Sequence, residues 1–146
     1  MSAERDSYAY FKITSDLPLS SIERYLGIVS DGLCWSKGDR RPSNYSIYNF
    51  SRWTMQSGIE RGQPIDKHLK ALWRRLSPLR DQIIHLPAEM NRQICCVGCF
   101  DTHLDDLQIS AGHFAAAHSF GVTIDFDFYF ENDFGDETKA MPHWLW

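Results

Sequence analysis

The residues best placed to do chemistry are carboxylates near the C-terminal end. Asp125, Asp127 and Glu131 alternate with apolar residues, and Tyr129 stands between them. Paired carboxylates can separate their proton affinities and act as acid and base, or ligate a cation through oxygen. On a strand, however, i and i+2 side chains lie about 7 Å apart, so two of them need oxygens from a neighbouring strand to share one ion. A solvated or salt-bridged sheet face is the simpler reading of the same pattern.

A second candidate is the compact polar turn Lys37-Gly38-Asp39-Arg40-Arg41. Its functional reading is a partner-binding loop in which arginine holds a carboxylate or phosphate. Its simpler reading is a surface turn whose Lys37 or Asp39 pairs locally. Three of the four cysteines crowd into Cys95-Cys96-Val97-Gly98-Cys99, and Cys34 stands apart. The Cys96/Cys99 spacing matches a metal or redox pair. Strand alternation sends those two side chains to opposite faces, so small packed thiols are expected instead. Among the six histidines, His113 and His118 are five residues apart and cannot form an i, i+4 metal pair on one helix face. His113 falls beside Ala117 and Phe120 and reads as a satisfied, partly buried histidine. The chain shows no nucleophile elbow and no glycine-rich phosphate loop. No catalytic residue, metal ligand or cofactor is therefore assigned.

These residues need elements to hold them. Tyr8 to Ile13 is rich in strand formers. Ser20 and Glu23 spell a capping box for a short helix that runs to Leu26 and stops at Gly27, with Ile22 and Leu26 inward. Cys34 to Ser36 can form a short strand, and Tyr45 to Gln56 a longer one with Trp53 and Met55 on one face. Ile65, Leu69, Leu72, Trp73 and Leu76 make a helical stripe, with Lys67, Lys70 and Arg74 opposite. Ser77-Pro78 restarts that helix towards Leu86. Residues 93–100 read as the cysteine-bearing strand, and the loop 101–106 follows. Ser110 caps an alanine-rich helix ending at Gly121. Val122, Ile124, Phe126, Phe128 and Phe130 then form the apolar face of a half-buried last strand.

The order predicts an α+β fold: a mixed or antiparallel sheet of about five strands with helices packed on one face. A ferredoxin-like β-α-β-β-α-β core would be extended by one helix and one strand. One domain spanning residues 1–146 is expected, with its core at about 8–130 and a tail at 132–146.

The residues in this order resemble a bacterial family catalogued as domain of unknown function 4279. The landmarks are Tyr8-Ala9-Tyr10-Phe11, Leu26-Gly27, Lys37-Gly38-Asp39, Trp53, Ser57-Gly58, His68-Leu69, Leu76, Phe120-Gly121 and Phe126-Asp127-Phe128-Tyr129-Phe130. They extend over roughly residues 8–130. The cysteine cluster and the Trp-rich tail are not part of that pattern. The resemblance implies no activity, substrate or cofactor.

Charge narrows the function classes. Formal net charge is −4, but residues 1–92 carry 14 basic and 10 acidic side chains, whereas residues 93–146 carry Lys139 against nine acids. No whole-chain positive field exists to attract nucleic acid, and the basic helix back of Lys67, Lys70, Arg74 and Arg75 reads as a solvated face. No apolar run approaches a membrane span, and no secretory leader is evident, so a cytoplasmic protein with neither nucleic-acid nor membrane partner is expected. The favoured reading is a non-enzymatic protein-interaction domain, immunity- or inhibitor-like, using an acidic sheet face. Its candidate binding residues are Lys37, Asp39, Arg40, Trp53, Asp125, Asp127, Tyr129 and Glu131. The alternative is a small hydrolase or metal-dependent enzyme using Asp125, Asp127 and a histidine. Trp144 and Trp146 close the chain, and the tail either folds back over the core or docks on another chain, a homodimer being one form of that.

Overall fold

In a computed structural model, residues 4–100 and 107–130 are described, with side chains from residue 7 onward in the first segment. Four strands, β1 (Glu4–Ser15), β2 (Ser51–Gln56), β3 (Asn91–Phe100) and β4 (Thr123–Phe130), form one sheet in the order β2-β1-β3-β4. β1 is antiparallel to both of its neighbours, and β3 runs parallel to β4. The sheet is thus mixed, as expected, but among the described residues it has four strands rather than five, and its order is not that of the expected ferredoxin-like core. The Cys34 to Ser36 strand reduces to a single bridge, Trp35 to Arg52. The strand expected from Tyr45 begins only at Ser51.

Alternation decides what each face carries. Ala9, Phe11, Ile13, Trp53, Met55, Ile94, Cys96 and Phe100 point to one side, all buried. There they meet α1 (Leu19–Leu26), α2 (Ile65–Leu76), α3 (Arg80–Ile84) and α4 (Ala111–Phe120) through Ile22, Leu26, Leu69, Leu72, Leu76, Ile83, Ala117 and Phe120. Leu69 and Leu76 are seven apart, two helical turns, so one stripe of α2 serves the core. The expected restart at Ser77-Pro78 is present as a 3-10 turn, Ser77–Leu79. Arg92 of β3 donates to the carbonyls of Ile83, Leu86 and Pro87, closing the end of α3 that has run out of helical partners.

Two caps differ from expectation. α1 starts at Leu19 with Pro18 before it and no side-chain cap. The Leu19 N–H instead donates to Ser36 Oγ at 3.0 Å, so a distant loop does the work assigned to Ser20. Ser110 precedes α4 as expected, but it uses its backbone N–H, donated to Asp66 Oδ1 at 2.8 Å, rather than its hydroxyl. The helix stops at Gly27 and Gly121 are as read: both adopt left-handed φ values, 80° and 69°.

The last strand departs most. No residue of β4 is fully buried, and Phe126 is 45 % exposed. Among the described residues β4 is an edge strand, so only part of its apolar face reaches the core: Ile124, Phe128 and Phe130 pack against it. At its neighbour Gly98, an added Cβ would lie 2.5 Å from the Phe100 ring, so only glycine lets that ring cross the strand. The opposite edge, β2, is closed. Trp35 pairs with Arg52 in both directions, Ser30 bonds Thr54 N and O, and Asp31 bonds Gln56 N. That removes a free strand edge.

Candidate functional site

The other face of the sheet carries the chemistry. Lys12 lies between Phe11 and Ile13 in sequence, and Arg52 between Ser51 and Trp53, so alternation turns both away from the core. The register sets Tyr10 beside Cys95 and Cys95 beside Asp125; Val97 is beside Asp127, and Cys99 beside Tyr129. Cations therefore stand on β1 and β2, and carboxylates on β4, of the face turned away from the helices, here called the open face, although Cys95 and Val97 at its centre are buried.

Arg52 is held unusually firmly. Its guanidinium lies over the Tyr10 ring at 5.1 Å and over the Trp35 ring at 5.4 Å, while its Nε donates to Thr54 Oγ1 at 3.0 Å. The arrangement continues outward: Tyr48 stacks on Trp35 at 4.0 Å, and Arg41 lies over Tyr48 at 4.5 Å. Inward, Tyr10 stacks on Tyr8, whose ring faces Arg61 at 4.1 Å. Stacked ring pairs thus lie between successive guanidinium groups across β1, β2 and the 35–50 loop, each cation–ring contact adding attraction between a cation and a π face. Trp35 is fixed by its Nε1–H donated to the Phe50 carbonyl at 2.8 Å.

Two hollows flank Lys12. One of about 410 Å³ is lined by Lys12, Arg52, Thr14, Asn91 and Gln93, with Asp16 and Glu89 also on its wall. The other, about 300 Å³, is lined by Tyr10, Lys12, Cys95, Asp125, Phe126 and Asp127. No described residue forms an ion pair with Lys12, Arg52 or Asp125. Burial pushes the Tyr10 hydroxyl up to about 12, with Cys95 adding to the shift and Arg52 opposing it. Burial also raises the Cys95 thiol, and it takes Cys96 up to about 12. These thiols stay protonated near neutrality and are poor nucleophiles.

The candidate residues separate into groups. Asp125 and Asp127 share the second hollow, and Tyr129 lies on the same face. Glu131 lies outside the described residues, as do Trp144 and Trp146. Lys37, Asp39 and Arg40 form a turn in which Asp39 Oδ2 accepts the Ser36 N–H at 2.8 Å and Arg40 bridges Ile47. None of the three lines either hollow. Trp53 belongs to the core: it is fully buried, and its Nε1–H donates to the Ile28 carbonyl. Lys12 and Arg52 were missed by attention to motifs, although the alternation of their strands places both opposite the core.

Histidine does not join the carboxylates among the described residues. His68 and His113 lie on α2 and α4, across the sheet. His113 accepts from Trp73 Nε1–H at Nδ1, 3.0 Å, so its Nε2 carries the proton donated to Asp66 Oδ1 at 2.9 Å. It is the satisfied, buried histidine expected. His68 Nδ1 meets Ser57 Oγ at 2.6 Å, and burial lowers its pKa. His85, just past the end of α3, and His118, on α4, are exposed. Cys96 and Cys99 do point to opposite faces. No group of three metal-ligating side chains, and no helix long and apolar enough to cross a membrane, occurs among the described residues.

Comparison with known proteins adds one match. The model of the family described as Domain of unknown function (DUF4279) covers residues 5–131. No curated protein and no solved structure matches the chain. The chain belongs to the DUF4279 family.

Proposed function

We propose that this member of the family is a non-enzymatic protein-interaction domain that receives its partner on the open sheet face. One observation carries the reading: charges of both signs, Lys12 and Arg52 on one side and Asp125 on the other, share that face with no ion-pair partner among the described residues. Placing like-signed cations on adjacent strands costs stability, and no ion pair among the described residues offsets it. A partner with the opposite arrangement would gain both attraction and orientation.

This revises the sequence-based picture of an acidic face. Asp125 and Asp127 stand beside Lys12, so the surface is bipolar, and an inhibitor-like role would need a partner of mixed charge. The hydrolase alternative gains no support, because the described histidines sit behind the sheet from both carboxylates. Capture from a lysate of the source organism tests the proposal. Wild type and an Asp125→Lys/Asp127→Lys variant are compared, each verified as folded. The proposal expects at least one specific partner lost from the variant; identical partner sets contradict it.

A further inference from the structure

We infer that the hollow between β1, β2 and β3 is a carboxylate-binding subsite, with the Arg52 guanidinium as its fixed donor and Lys12 as its second cation. The inference rests on the proposed interaction role, and it names what the partner must present. Three observations carry it.

The Arg52 guanidinium carbon lies over the Tyr10 and Trp35 rings and its Nε donates to Thr54 Oγ1, which leaves its two terminal nitrogens, beside the Tyr10 hydroxyl, to meet a ligand. An arginine edge is a planar fork that fits a carboxylate in a bidentate pair. Its long side chain is immobilised before any ligand arrives, which removes part of the ordering cost of binding. The rings that immobilise it are themselves held. Trp35 is stacked on Tyr48 and tied to Phe50, and Tyr48 is covered by Arg41. The 35–50 loop thus acts as a brace for one guanidinium.

Arg52 and Lys12 line the same hollow and lack an ion-pair partner among the described residues. Thr14, Asn91 and Gln93 supply neutral donors around them. The exposed carboxylates Asp16 and Glu89, on the same wall, set the specificity. They repel a run of acids and favour a lone carboxylate flanked by neutral or basic groups. A glutamate or aspartate set among lysines on the partner's surface has that chemistry.

The test is side-chain NMR of the full chain, following the Nε–Hε resonance of Arg52 during titration with end-blocked tripeptides. Lys-Glu-Lys is expected to shift that resonance saturably, and Lys-Gln-Lys to leave it in place. Glu-Glu-Glu and inorganic phosphate are expected to bind more weakly than Lys-Glu-Lys. Arg52→Lys keeps the charge but loses the fork, and Lys12→Gln keeps the fork but loses the second cation. Each is expected to weaken Lys-Glu-Lys by about tenfold, the size of one charge-assisted contact. The subsite is contradicted if Lys-Glu-Lys produces no shift, if Lys-Gln-Lys matches it, or if triglutamate or phosphate binds as well or better. It is also contradicted if shifts map to Lys67, Lys70 and Arg74 instead. Failure here, with partner capture still lost in the Asp125/Asp127 variant, removes the subsite and leaves the interaction role. Peptide binding with unchanged capture does the reverse.

Discussion

On the helix side of the sheet, charged groups are paired within the fold at His113 and Asp66, although the buried His68 Nε2 has no hydrogen-bond partner among the described residues. His113 is bonded through both ring nitrogens, and Asp66 receives a backbone N–H and a histidine N–H at one oxygen. On the open side, Lys12, Arg52 and Asp125 stand without ion pairs among the described residues, and the most elaborate packing, the ring-and-guanidinium row, holds a cation rather than burying it. The same strands build both faces, because alternation gives each strand one side for packing and one for display. The contrast teaches that stability and recognition are separable here. Changes in the core on the helix side should unfold the protein, whereas exchanging the charges Lys12 and Asp125 on the open side should leave it folded and alter what it meets.

The largest effect should come from the core. Trp53 is fully buried and packs edge-on against Phe11, with ring centroids 6.1 Å apart. Trp53→Ala should cost about 3–5 kcal/mol, visible as a lower denaturant midpoint. A loss below about 1 kcal/mol would remove Trp53 from the core and reopen it as a binding residue. Gly98→Ala comes next. The added methyl meets the Phe100 ring, and overpacking of this kind costs about 1–3 kcal/mol. A neutral outcome would mean that the aromatic group of Phe100, Phe128 and Phe130 yields easily, weakening the contrast between a rigid side and a displaying side.

Acid should act through the helix side as well. Burial lowers the folded pKa of His68 below its ordinary value of 6.5. Below that pH the unfolded chain therefore takes up a proton that the folded chain resists, and stability falls as pH drops through 6.5 towards the folded pKa. Denaturant midpoints between pH 7.5 and 5 should show this fall, and His68→Gln should flatten it. An unchanged slope in that variant would place the acid sensitivity elsewhere. Asp66 works in a lower window. The Ser110 N–H holds its pKa below 3.8, so its contribution is present above that value and is lost as pH falls through the folded pKa.

Much of the helix side was legible in the sequence. The α2 stripe, the glycine stops and the restart at Pro78 follow from spacing and backbone preference, which act locally. The strand order was not, because alternation tells which face a side chain takes but not which strand lies beside it. That is why Phe126, apolar and in phase, was expected inside: the pattern does not reveal that β4 lies at an edge. The ring-and-guanidinium row was hidden for the same reason. It joins Trp35, Tyr48, Arg52 and Tyr10 from a loop and two strands, and none of these residues is a motif alone. Ser36 closing the start of α1 is another contact between distant segments that no local cap signal could announce.

The central claim is that the charges Lys12 and Asp125 of the open face recognise a partner and contribute little to stability. A charge exchange, Lys12→Glu with Asp125→Lys, tests it most directly, because net charge is preserved and neither residue has an ion pair among the described residues to lose. Unfolding midpoint and partner capture are measured on the same preparation. The account predicts a stability within about 0.5 kcal/mol of wild type, as for surface substitutions, together with loss of the wild-type partner. An unchanged partner in the folded variant, or loss of several kcal/mol, would contradict it.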